Sequence, residues 1–346
     1  MPPFASPPRA ASPPAASGSS APPLTTPPAD EPPVAAPPAS APSAAAPYSA
    51  EEFAVRNPHG DPVLRRFGRG MRRSVGAAAA REARETAALV AQLGAPVASC
   101  RRIAVTSIRG GAGKSTIAAL IAGTLCRHRR DRVVALDADP GAGSLALRLG
   151  ARGDRSLRDL AAARPRTWDE AAVHLTRTDE NLWVLPAAPP GRVGDDLDRA
   201  TYATGAGVLG RYFAASVIDC GAGLGTDLHH AVLSDAHAQI FVVPGTGDGA
   251  VSAHAALDWF ARSGHGPLLS RTVIALVART PYGDADLGKA REVLGRGGAP
   301  VIEVPYDRHL AAGIAITPDH VSASVLDAVT EITAEAFGRS LWGDAS

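Results

Sequence analysis

The sequence predicts an α/β protein with a doubly wound, mainly parallel sheet, preceded by an N-terminal arm of very different composition. From residue 102 onward, short apolar runs rich in β-branched residues recur. Near-continuous apolar runs are typical of strands that are buried on both faces. Helical patterns separate most of these runs, and strands that alternate with helices favour a parallel sheet. In such a sheet, the ligand site is expected at the carboxyl ends of the strands.

The predicted elements follow one another in the order that a wound sheet requires. The strand runs are residues 103–106, 133–136, 182–185, 217–218, 240–243, 273–277 and 301–304. The clearest helical patterns are residues 115–127, 253–261 and 321–337. Crossovers between parallel strands are right-handed almost without exception, which limits how these elements can be connected. The last helix is mildly acidic and rich in alanine, which indicates a helix packed on the domain.

Residues 1–48 form an arm that consists almost entirely of proline, alanine and serine. Paired prolines recur every five residues, from Pro22-Pro23 to Pro37-Pro38. Such a segment cannot bury enough apolar surface to offset its ordering entropy, so we expect it to be disordered. It should behave as a semi-rigid spacer rich in polyproline II. Two interpretations stay open: a docking arm for a protein or membrane partner, and a plain solvated tail.

Residues 49–97 are predicted to form a basic helical linker. Its first part carries five arginines in nine residues, namely Arg65, Arg66, Arg69, Arg72 and Arg73. Apolar residues three to four apart give this part an amphipathic helical pattern, and a second helix is predicted up to about Leu93. Peripheral contact with an anionic membrane surface is one interpretation. We favour a solvated helix that packs loosely on the main domain.

Charge and cysteine content limit the remaining classes. The formal net charge is +1, and residues 101–346 alone have a net charge of −1. We predict an α/β domain at 98–340 and a tail at 341–346. Because its net charge is close to zero, this domain has no bulk attraction to DNA. Three cysteines without CxxC spacing fit a reducing cytosol. We find no signal peptide and no run of about 18 apolar residues, so we expect a cytoplasmic protein, with peripheral contact at the inner face of the plasma membrane as an option.

A glycine-rich segment between the first predicted strand and the first predicted helix is the strongest motif. It contains Arg109, Gly110, Gly111, Ala112, Gly113, Lys114, Ser115 and Thr116. Glycines allow the backbone N–H groups to face inward as an anion nest, and the helix adds the positive end of its dipole. We expect Lys114 to reach the β- and γ-phosphates of a nucleotide and Ser115 to place its hydroxyl on Mg²⁺. Residue 108 is isoleucine, so the general pattern fails and a deviant form fits.

Carboxylates at the ends of two later strands are the expected partners of that loop. Asp137 and Asp139 follow the strand run at 133–136, and one of them can orient Mg²⁺-bound water while the other positions the attacking water. Asp219 ends the run at 217–218, an arrangement that is typical of a magnesium-holding Walker B aspartate. We interpret the adjacent Cys220 as a small buried hydrophobe and not as a redox group.

These three motifs, in this order and spacing, resemble the MinD/ParA family of deviant Walker A P-loop ATPases over roughly residues 100–338. The proline-rich arm makes the layout similar to that of MinD-like ATPases associated with type VII (ESX) secretion. The resemblance implies ATP and Mg²⁺ as cofactors, and a homodimer that forms with ATP. It also implies that Arg109, where the family usually has lysine, reaches the nucleotide of the other subunit.

The resemblance implies further roles for individual residues. Arg109, Lys114 and Asp139 would be catalytic, and Ser115, Asp137 and Asp219 would hold the metal ion. Arg279 follows a late strand, where the family often reads the adenine base. Pro305 lies in a segment similar to the family's late strand and nucleotide-edge loop.

Several functions remain compatible with these motifs. The leading hypothesis is an ATP-driven switch that positions or assembles a partner complex. A DNA-partitioning ATPase is an alternative that the charge does not support, and a nucleotide-sensing adaptor with little turnover is another. Three histidines, His229, His230 and His237, fall within nine residues, and we interpret them as part of a solvated helix and not as a metal site.

Overall fold

The computed structural model describes residues 75–141, 143–186, 197–281 and 286–342. The proline-rich arm and the arginine-rich segment at 65–73 lie outside the described residues. Within these ranges, no helix is long and apolar enough to span a bilayer.

Eight described strands form one sheet. They are β1 (Arg101–Ser107), β2 (Val133–Ala138), β3 (Thr176–Arg177), β4 (Trp183–Leu185), β5 (Ala215–Ala222), β6 (Ala238–Pro244), β7 (Thr272–Val277) and β8 (Val301–Val304). Their order across the sheet is β3-β4-β2-β5-β1-β6-β7-β8. Only β3 is antiparallel to its neighbour among these strands. The predicted doubly wound, mainly parallel sheet is therefore confirmed.

Helices cover both faces of the sheet. One face is covered by α1 (Val75–Leu93), α2 (Lys114–His128), α3 (Leu145–Arg148) and the C-terminal α12 (Ala323–Ser340). The other face is covered by α4 (Leu157–Ala163), α5 (Trp168–Ala172), α6 (Arg199–Leu209), α7 (Asp227–Asp235), α8 (Gly247–Arg262), α9 (Gly266–Leu269) and α10 (Leu287–Gly295). The short α11 (Arg308–Ala311) and a 3-10 turn (Pro318–His320) lead into α12. Two hydrophobic cores result, one on each side of the sheet.

The end of α1 packs closely on α12. Leu93 is fully buried, and Gln92 donates a hydrogen bond from Nε2 to the carbonyl oxygen of Ala334 at 2.9 Å. Gly338 permits this approach, because a Cβ atom there would overlap the Gln92 amide. The helix predicted up to about Leu93 is thus present, and its end contributes to the core of the α/β domain.

The region between β2 and β4 differs most from the sequence prediction, which named no helix there. Two capping boxes begin short helices: Ser156 with Asp159 at α4, and Thr167 with Glu170 at α5. In each, the hydroxyl accepts from a backbone N–H and the acidic side chain accepts from the N-cap N–H. These helices are too short for a clear apolar periodicity, and the capping residues are their only strong local signal.

Candidate functional site

The glycine-rich loop connects β1 to α2 at the carboxyl edge of the sheet. Gly111 and Gly113 have φ angles of 73° and 95°, in the left-handed region that glycine adopts without strain. The loop borders a cavity of about 460 Å³, and Lys114 at the start of α2 lines it. The N-terminal amides of α2 therefore face a space suited to an anion.

Lys114 and Asp219 form a buried ion pair beneath this loop. The Lys114 ammonium donates from Nζ to Oδ1 of Asp219 at 3.0 Å, and the Asp219 side chain is fully buried. Burial opposes the charge on Lys114, yet the Asp219 carboxylate raises the pKa of Lys114 above its ordinary value. Lys114 is thus held as a cation at the floor of the cavity.

Asp137 and Asp219 are register partners on the neighbouring strands β2 and β5. Oδ1 of Asp137 accepts from the backbone N–H of Asp139 at 3.0 Å, and Oδ2 accepts from that of Leu145 at 3.2 Å. Burial, together with the adjacent Asp219 charge, raises the pKa of Asp137 to about 7. Gly143 approaches this carboxylate so closely that a Cβ atom would overlap it.

These residues fit a divalent cation. Oδ2 of Asp219 is buried and has no hydrogen-bond partner among the residues that the structure describes. Burial raises the pKa of Asp219, and the Lys114 ammonium and the Ser115 hydroxyl beside it only partly offset that effect. Two buried carboxylates with one cationic partner lack positive charge, and oxygen donors are the ligands that Mg²⁺ prefers.

Asp139 occupies a different position from that of Asp137. It lines the cavity, and its Oδ1 accepts from the backbone N–H of Gly141 at 2.9 Å. A Cβ atom on Gly221 of β5 would lie 3.4 Å from the same Oδ1. Asp139 therefore borders the cavity, and the loop after β2 meets the end of β5.

Arg109 contacts its own chain. Its guanidinium donates from Nη1 to Oδ2 of Asp248 and from Nη2 to Oγ of Ser252 at 3.1 Å, both on α8. The side chains of Arg109 and Asp248 are each about half exposed. Thr246 is the N-cap of α8, so Asp248 lies in the first turn of that helix. The sequence predicted a role for Arg109 but not its contact with Asp248. Thr246, a typical N-cap residue, was the one local signal that a helix begins just before Asp248.

The opposite rim of the cavity comes from the ends of β7 and β8. Arg279 donates from Nη1 to the carbonyl oxygen of Gly111, and Pro305 and Tyr306 line the cavity beside it. Asp307 caps α11 by accepting from the backbone N–H groups of His309 and Leu310. The structure therefore brings the cavity-lining residues that the sequence analysis selected to one site, with Asp137 and Asp219 on the strands beneath them.

The interpretation of the histidines as part of a solvated helix is wrong for His229, and also for His237, which follows the end of α7. His229 is buried, and it joins the Gly221 carbonyl oxygen through Nε2 at 3.0 Å to the Thr226 hydroxyl through Nδ1 at 2.7 Å. His230 instead pairs with His265, with 3.0 Å between their ring nitrogens. His229 follows the Thr226 N-cap by three residues, a spacing that predicts a capping contact but not burial.

Cys220 and Arg148 complete the surroundings of the site. Cys220 is buried, and burial raises the pKa of its thiol well above the ordinary value, so it packs as a small neutral hydrophobe as predicted. Arg148, at the end of α3, lines the cavity without having been selected from the sequence. No motif marks Arg148, and only the packing of α3 against the late loop places it there.

A glycine-rich loop at a helix N-terminus, a buried lysine and a pair of buried carboxylates at the carboxyl edge of a parallel sheet define a nucleotide-binding protein of the P-loop class. A family model described as the CobQ/CobB/MinD/ParA nucleotide binding domain matches residues 103–317. This match covers more than half of the chain, which therefore belongs to that family.

A curated relative supports the assignment. The chain is 34% identical over 238 residues to the ESX-1 secretion-associated protein EspI of Mycobacterium tuberculosis, a match that covers 67% of this chain and 36% of that protein. The matched region thus spans about a third of that relative's length.

Solved structures show the same fold. A ParA family ATPase from Chlorobium tepidum is similar with a TM-score of 0.58 and 18% identity, over 68% of this chain and 98% of that one. The septum site-determining protein MinD of Pyrococcus horikoshii, complexed with Mg-ADP, is similar with a TM-score of 0.54 and 21% identity, over 68% of this chain and 94% of that one.

Proposed function

We propose that this chain binds and hydrolyses Mg·ATP and acts as a MinD/ParA-like switch. The observation that carries the proposal is the Lys114–Asp219 pair at the floor of the cavity, with Asp137 in register beside Asp219. This arrangement joins a fixed cation for phosphate oxygens to carboxylates for a metal ion. The structure of MinD from P. horikoshii, which has this fold, contains Mg-ADP.

The chain's own residues would divide the work. Gly110 to Gly113 and the first amides of α2 would bind the phosphates, with Lys114 as the charged donor. Ser115, Asp137 and Asp219 would hold Mg²⁺, which when bound neutralises charge on the phosphate oxygens. Asp139 would orient the attacking water, because it lines the cavity and its carboxylate is steadied by Gly141. Arg279 and Pro305 would border the base.

ATP-dependent dimerisation is the second part of the proposal. In this chain Asp248 and Ser252 satisfy the donors of Arg109. For Arg109 to reach the nucleotide of a second subunit, it has to leave those partners. Both side chains are about half exposed, so rupture of the contact costs about 0–1 kcal/mol. Arg109 can therefore exchange an internal partner for one across a dimer interface.

The cellular role is proposed from the relative. EspI is described as ESX-1 secretion-associated, and it is 34% identical to this chain over 238 residues. We infer that this chain positions or assembles a partner complex in type VII secretion. Its proline-rich arm would contact a protein partner, and peripheral contact of the Arg65–Arg73 segment with an anionic membrane stays the alternative to the solvated helix that we favour.

Calorimetry with the 346-residue chain tests the proposal. We expect Mg·ATP and Mg·ADP to bind with one site per chain, and steady-state phosphate release to require both ATP and Mg²⁺. Absence of heat with both nucleotides would overturn the proposal. Binding without turnover, with and without partner, would instead establish a nucleotide-sensing adaptor.

A further inference from the structure

A basic groove lies at the amino ends of the strands, on the edge of the sheet opposite the nucleotide cavity. Two cavities, of about 500 and 590 Å³, adjoin where both are lined by Arg130, Asp131 and Arg132. These three residues lie between α2 and β2. The proposed nucleotide chemistry does not use these residues. The groove and the nucleotide cavity share no lining residue, so a ligand in the groove leaves the nucleotide cavity open.

The carboxylates in this groove are already matched. Asp131 receives two hydrogen bonds from Arg129, at 2.8 and 2.7 Å, and the Arg129 side chain is itself buried. Glu180, at the far side, lies 3.4 Å from Arg127. By contrast, Arg130, Arg132 and Arg177 have no carboxylate partner among the described residues. The groove therefore has an excess of positive charge.

Aromatic rings hold two of these arginines in place. The Arg132 guanidinium carbon lies 3.9 Å from the ring centre of Trp168, and that of Arg177 lies 5.6 Å from the ring centre of Trp183. The two tryptophans contact each other edge to face, with their centres 5.0 Å apart. A guanidinium stacked on an indole keeps its in-plane N–H donors available, and its orientation costs little further entropy on binding. The groove is thus preorganised for flat, bidentate acceptors.

We propose that this groove binds an acidic peptide segment of a partner protein. A carboxylate can accept two parallel hydrogen bonds from one arginine guanidinium. The partly exposed rings of Trp168 and Trp183 beside the arginines can contact apolar side chains of the peptide. Exposed carboxylates of Asp131 and Glu180 interrupt the positive surface. The evenly spaced phosphates of a nucleic acid would lie close to these carboxylates and be repelled by them. A peptide can place uncharged residues opposite the carboxylates and its acidic residues opposite the arginines.

The test uses the full chain and three fluorescein-labelled probes. These are a twelve-residue peptide with glutamate at alternate positions, the same peptide with glutamine in those positions, and a twelve-nucleotide oligothymidylate. Fluorescence anisotropy is expected to show the glutamate peptide binding about tenfold or more tightly than the other two. Tryptophan emission should change in the same titration, because Trp168 and Trp183 line the groove.

Charge-matched variants locate the binding. The triple variant Arg130→Gln, Arg132→Gln, Arg177→Gln should weaken glutamate-peptide binding by about tenfold or more. The matched control Arg81→Gln, Arg84→Gln, Arg262→Gln removes the same charge from exposed positions on α1 and α8 and should bind as the wild type does. Since Arg132 packs on Trp168, the single variant Arg130→Gln replaces the triple if melting shows that the triple is unfolded.

Three results would overturn the proposal: oligothymidylate binding as tightly as the glutamate peptide, equal loss in the control triple, or no peptide binding. Mg·ATP binding measured in the same samples separates this proposal from the nucleotide function, because neither triple variant touches the nucleotide cavity.

Discussion

The ammonium of Lys114 and the carboxylate of Asp219, 105 residues apart in the sequence, meet at 3.0 Å beneath the glycine-rich loop. Neither side chain is more than 9% exposed. A buried ion pair contributes little net stability, but removal of one partner leaves the other charge buried without compensation. This pair therefore links the stability of the domain to the predicted phosphate site.

Lys114→Ala is expected to abolish Mg·ATP binding and to destabilise the domain by about 3–5 kcal/mol, because Asp219 stays buried without its partner. Calorimetry and chemical denaturation measure the two effects. The double variant Lys114→Ala, Asp219→Asn should recover most of the stability and none of the binding. A double variant as unstable as the single one would show that the lost charge balance is not the cause.

Asp139→Ala is expected to leave ATP binding intact and to stall hydrolysis, since Asp139 lines the cavity while Asp137 and Asp219 belong to the proposed metal site. Asp139→Asn is the matched variant, because its amide oxygen can still accept from Gly141. Single-turnover phosphate release should fall by about 10²-fold or more in both variants, with the affinity for Mg·ATP unchanged. Normal turnover in Asp139→Asn would exclude a role of the carboxylate in hydrolysis.

Asp248→Asn should free Arg109 and favour the dimer, whereas Arg109→Ala should bind ATP and stay monomeric. Light scattering after size exclusion, with Mg·ATP in an Asp139→Ala background, measures the dimer fraction before ATP is consumed. Asp258→Asn, further along α8 and away from Arg109, is the control and should dimerise as the parent does. If Arg109→Ala dimerised at the same ATP concentration as the parent, Arg109 would have no role in the dimer interface.

His229 should make the stability of the domain depend on pH. Burial lowers the pKa of His229 below its ordinary 6.5, so the unfolded chain binds a proton more readily than the folded chain does. The stabilising contribution is therefore full above about pH 6.5 and is lost as the pH falls through the folded-state pKa.

Melting temperatures of the wild type and His229→Gln, compared between about pH 7.5 and 5.5, measure this contribution. We expect the wild type to lose its advantage over the variant as the pH falls. A difference that stays constant, or grows toward acid pH, would contradict the assignment of a neutral His229 that holds the Gly221 carbonyl.

The sheet and the core of the site were predictable because their signals are local. Apolar runs identified β1, β2 and β5, and the residues at their ends identified the loop and the two carboxylate strands. The sequence did not predict β3 or the capped helices α4 and α5, since elements of two to seven residues carry too little periodicity. A capping box indicates where such a helix starts, but it does not indicate which face of the helix packs against the sheet.

The sequence alone determined the fold class, and it located the glycine-rich loop and the carboxylates of the candidate site, because strand burial and backbone chemistry act over neighbouring residues. Only the tertiary structure decided that Arg109 pairs with Asp248, that His229 is buried against Gly221, and that Arg132 stacks on Trp168. Those contacts join residues on different elements, and their geometry depends on how helices pack across the sheet. A side chain's partner is set by that packing, which no short stretch of sequence records.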